Sequence, residues 1–68
     1  MTYVVMKDRH GNGWYQVLDA GLMVFPGAGV QTLYSGADAK ECLRVCLLNG
    51  IQVMAEDFPG LVSEVADA

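Results

Sequence analysis

Positive charge is what this sequence has least of. Four lysines and arginines stand against eight aspartates and glutamates, a formal charge of −4. Phosphate backbones are bound by clustered basic side chains, so direct contact with DNA or RNA is not expected. A single histidine and two cysteines leave little material for a metal centre or a catalytic dyad. Membrane spans need about 20 apolar residues in a row, and no run here approaches that. The N-terminal MTYVVMKDRHG places its lysine after a short apolar run, where a secretory leader places its charge before a longer one. A cytosolic location and no membrane partner are therefore expected.

What the chain does have is apolar residues, 53% of its 68 positions, without linker, repeat or low-complexity tract. Such a chain makes one domain spanning residues 1–68, near the lower size limit for a core that holds without disulfides or metal.

YVVMKD at 3–8 and WYQVL at 14–18 are rich in β-branched and aromatic residues and read as strands. Asn12-Gly13 between them is a favoured dipeptide for a tight hairpin turn. LMVF at 22–25 and VQTLY at 30–34 read as two further strands, separated by PGAG. At Ser35 the pattern changes. SGAD has the form of a capping box with Ser35 as the cap, and Ala39, Cys42, Leu43, Cys46 and Leu47 then fall on one side at helical spacing. A helix over 36–49 is expected, with Gly50 as its left-handed stop. IQVM at 51–54 alternates like a fifth strand, and Asp57, Pro59, Leu61, Val62 and Val65 suggest a short final helix capped by Asp57. The expected order is β-β-β-β-α-β-α: an α+β fold, a small antiparallel sheet with one main helix packed on one face.

Few of these residues support catalysis. Cys42 and Cys46 stack on one side of the expected helix, where regular geometry forbids a disulfide and core packing is the simplest role. His10 belongs to a polar turn. GNG and PGAG lie between expected strands, without the strand-to-helix junction that phosphate loops require. Neither enzyme activity, a cofactor nor a bound metal is expected, although a thiol site at a subunit junction involving Cys42, Cys46 or His10 is a third-ranked alternative.

Surface features point instead to a protein partner. Alternation puts Trp14, Gln16 and Leu18 on one sheet face and Tyr15 and Val17 on the other, so one main helix leaves apolar side chains uncovered. Leu48 falls on the far side of the helix from its apolar stripe. Glu56, Asp57, Glu64 and Asp67 crowd the last thirteen residues without a base among them, a negative edge suited to a basic protein surface. Trp14, Tyr15, Leu48 and these four acids are the candidate contacts, with homodimerisation as the competing use of the apolar face.

By size, acidity and lack of catalytic motifs the chain resembles the standalone inhibitors encoded by phages and mobile elements, anti-CRISPR proteins being the best-known kind. That resemblance implies occlusion of a nucleic-acid-binding surface on a host protein. Its three-strands-then-helix order is also similar to the HicB-type antitoxin domain, which implies a small regulatory module docking on a cognate protein.

Overall fold

The computed structural model describes residues 1–66. Thr2–Asp8 forms the central strand β1, flanked by β2 (Gly13–Leu18) and β3 (Val30–Gly36), both antiparallel to it in the order β2-β1-β3. The β-branched run of β1 suits this position, because only its two faces, not its edges, meet solvent or core. Tyr3 and Val5 share the face that meets the main helix α1 (Ala39–Leu48), whereas Val4 and Met6 point the other way. Between Val5 and Met6 the β3 partner jumps from Tyr34 to Thr32, leaving Leu33 as an extra residue. That bulge lets consecutive side chains, Leu33 and Tyr34, both pack against the core.

The β1–β2 hairpin forms as expected but turns on a different glycine. The amide of Asp8 donates to the carbonyl of Asn12 at 2.9 Å, the Gly11 amide donates to the Asp8 carbonyl, and Gly11 has φ +89°. This is a three-residue connection over Arg9–Gly11 with its last residue left-handed. Gly13 is instead a ladder residue opposite Lys7. The Asp8 carboxylate selects the longer loop by accepting from the amides of His10 and Asn12, each at 2.9 Å.

Among the described residues three strands form rather than the five expected. Residues 19–29, including LMVF, pair with no strand. Turns stand at both ends, Leu22 donating to the Asp19 carbonyl and Val30 to that of Gly27. β2 ends opposite Thr2 and β3 begins opposite Asp8, so this segment must run the length of β1 to connect two parallel strands. Such a connection crosses a face of the sheet. α1 holds one face; on the other, Val4 and Met6 are buried to 3% and 4% exposure.

IQVM at 51–54 is not a strand either. Ile51 is buried over Gly13, and the Met54 amide donates to the Tyr15 hydroxyl at 3.0 Å instead of joining a ladder.

α1 starts three residues later than expected because Ser35 and Gly36 stay in β3, opposite Val4 and Tyr3. Asp38 is the cap, its carboxylate accepting from the amides of Lys40 and Glu41. The helix ends as its sequence dictates. Gly50 has φ +67°, Ile51 donates to the Cys46 carbonyl and Gly50 to that of Leu47, a Schellman stop that swings Ile51 into the core. Beyond it, Asp57 closes a 3₁₀ turn (Ala55–Asp57) rather than capping the last helix, α2 (Val62–Ala66). Pro59 disfavours helical backbone at Phe58, so the chain restarts its helix after Gly60. Phe58 is buried with Val5, Cys42, Leu43, Cys46, Ile51 and Val65 in the core.

Candidate functional site

Tyr15 is anchored rather than free. It packs on Phe58 with ring centroids 5.4 Å apart, and its hydroxyl donates to Asp57 Oδ2 at 2.6 Å while accepting from Met54. Burial and the neighbouring carboxylate push the Tyr15 pKa above its ordinary value, so the hydroxyl stays a donor. Trp14 lies on the opposite face and is half-buried. These two residues therefore do not form one patch.

The acids are likewise separate in their engagements. Asp57 accepts from Tyr15, and Glu64 pairs with Lys40 at 2.5 Å, tying α2 to α1. Glu56 is exposed and engaged by no side chain among the described residues. Asp67 lies outside the described residues. Elsewhere Asp8 and Asp38 serve a turn and a cap, and Glu41 pairs with Arg44.

Cys42 and Cys46 are free thiols at 0% exposure. Burial first, then the adjacent Cys46 sulfur, pushes Cys42 up to about 12, and burial raises Cys46 as well. Thiols held neutral in this way are poor nucleophiles and poor metal ligands. His10 stands exposed at the hairpin tip, remote in character from both. No cluster of three or more His, Cys, Asp or Glu side chains able to hold a metal forms among the described residues.

Exposed apolar surface is concentrated elsewhere. Leu22, Met23 and Phe25 are 54%, 75% and 81% exposed, and Leu48 at the end of α1, which its place on the helix left either exposed or covered by the C-terminal segment, is 79% exposed. The first three stand within residues 20–37, a stretch without any charged side chain. This loop was legible as a surface only through Pro26 and the glycines around it, which interrupt strand pairing; its apolar LMVF reads equally well as a buried strand.

No helix among the described residues is long and apolar enough to cross a membrane. Comparison with protein-family models, with curated proteins and with solved structures found no match, so the site is defined by its own geometry alone.

Proposed function

We propose that this protein acts by docking on another protein, with the crossing loop as its principal contact. The observation that carries this reading is the exposure of Leu22, Met23 and Phe25 in a charge-free segment. Large apolar side chains displayed together are costly in solubility and usually serve contact. Leu48 extends the apolar inventory, and Glu56 is available as a polar rim residue. An inhibitor of the anti-CRISPR kind, covering a basic surface of its target, remains the specific form suggested by size and acidity. In that form Asp57 and Glu64 contribute through long-range attraction, since each already has an internal partner. Three antiparallel strands followed by a helix support a second form, an antitoxin-like regulatory module. Both forms use protein docking.

The test is capture from a nuclease-treated lysate by three versions of the tagged chain: wild type, a Leu22→Ser/Met23→Ser/Phe25→Ser variant, and a Glu56→Gln/Glu64→Gln variant. A partner held by wild type, lost with the loop variant and bound more slowly by the acid variant is expected. Retention by the loop variant would refute the loop's role. A chain that only self-associates, and does so through the loop, would make the partner a second copy.

A further inference from the structure

The four bases divide into two kinds. Lys40 and Arg44 on α1 are ion-paired with Glu64 and Glu41, whereas Lys7 and Arg9 meet no carboxylate within ion-pair distance among the described residues. Both unpaired bases line one open cleft of about 440 Å³, closed by Asp8, Gly29, Val30 and Gln31.

The cleft is assembled by pairing rather than by chance proximity of flexible chains. Lys7 stands opposite Gln31 and Asp8 opposite Val30 in the β1–β3 ladder. The aliphatic stem of Arg9 lies along Gly29: a Cβ added there would be 3.5 Å from Arg9 Cδ and 3.7 Å from Nε. The Asp8 carboxylate, the single negative group of the lining, already accepts from the His10 and Asn12 amides and the Asn12 side chain. Its charge is thereby partly satisfied by the turn it holds. The Gly29 amide donates to no protein acceptor among the described residues.

The geometry points to a binding site for a small oxyanion, a phosphate or carboxylate group, held by Lys7 and Arg9 with Gln31 and the Gly29 amide as neutral donors. Two cations without ion-pair partners, one of them with its side chain lying along Gly29, beside neutral hydrogen-bond donors are the elements from which such groups are recognised. The site shares the segment 19–29 through Gly29 but uses none of Leu22, Met23 and Phe25, so a negative result for either leaves the other standing.

The experiment is amide-resolved NMR titration of the full chain with inorganic phosphate and, separately, with glutarate, against sodium chloride at matched ionic strength. Saturable shifts at Gly29, Val30 and Gln31 are expected with one or both anions, and the better binder assigns the chemical class. Arg9→Gln and Lys7→Gln should each weaken that binding by about tenfold or more, the scale of one lost charge-assisted hydrogen bond. Absence of saturable shifts with either anion, or shifts unchanged in both variants, would overturn the assignment.

Discussion

At the scale of single residues, the side chains that carry most chemical potential are turned to structure. Burial holds Cys42 and Cys46 neutral, so the expected outcome of native thiol titration is slow reaction whose rate follows opening of the core. Rapid labelling at neutral pH would contradict that. The same shift has a pH consequence. A folded pKa raised above the ordinary thiol value of 9.0 means the contribution is complete below about pH 9 and is lost as pH climbs toward about 12. Tyr15, raised in the same sense, adds to the loss above its ordinary value of 10.0. Melting temperature should therefore fall across alkaline pH, and Cys42→Ala should flatten that fall while costing about 1–2 kcal/mol at neutral pH for the space it leaves. Tyr15→Phe should cost about 1 kcal/mol by releasing Asp57 and the Met54 amide together, measured by denaturant unfolding.

Individual elements were legible where local chemistry and tertiary pairing agree. β1, β2, β3 and the body of α1 all follow from their residue patterns, and the Gly50 stop appears at its expected position. Disagreement arose where one element competed with the next. Ser35 has the chemistry of a cap, yet the ladder opposite Val4 retains it and Asp38 takes the role. Asp38→Ala is accordingly expected to cost about 1 kcal/mol and Ser35→Ala less than about 0.5, a contrast that thermal unfolding resolves. Asn12-Gly13 is a good two-residue turn in isolation, but the Asp8 carboxylate organises the longer one. Strand pairing at 22–25 and 51–54 was not readable, because a short apolar run states only that it prefers a dry environment, not whether a neighbour is free to pair. For 51–54 the neighbour was a side chain, the Tyr15 hydroxyl, which no local pattern announces. Among the candidate contacts, Leu48 is exposed at the end of α1, whereas Tyr15 packs on Phe58 and is held by Asp57, an arrangement that strand alternation alone does not announce.

For the whole molecule, the division of labour between faces explains both stability and the proposed role. α1, α2 and Phe58 cover one side of the sheet, and the segment 19–29 runs the length of β1 while presenting Leu22, Met23 and Phe25 outward. Acidic charge is mostly used internally, in a turn, a cap, two ion pairs and the Tyr15 contact, which shifts the centre of the proposed interface from the C-terminal acids to the loop. Docking through the loop requires these side chains to be surplus to the fold. Equilibrium unfolding of the Leu22→Ser/Met23→Ser/Phe25→Ser variant beside wild type tests it most directly. Stability within about 1 kcal/mol of wild type is expected, because exposed side chains contribute little. A loss of several kcal/mol, the size seen when core side chains are truncated, would mean that the loop is packed in solution and is not the docking surface.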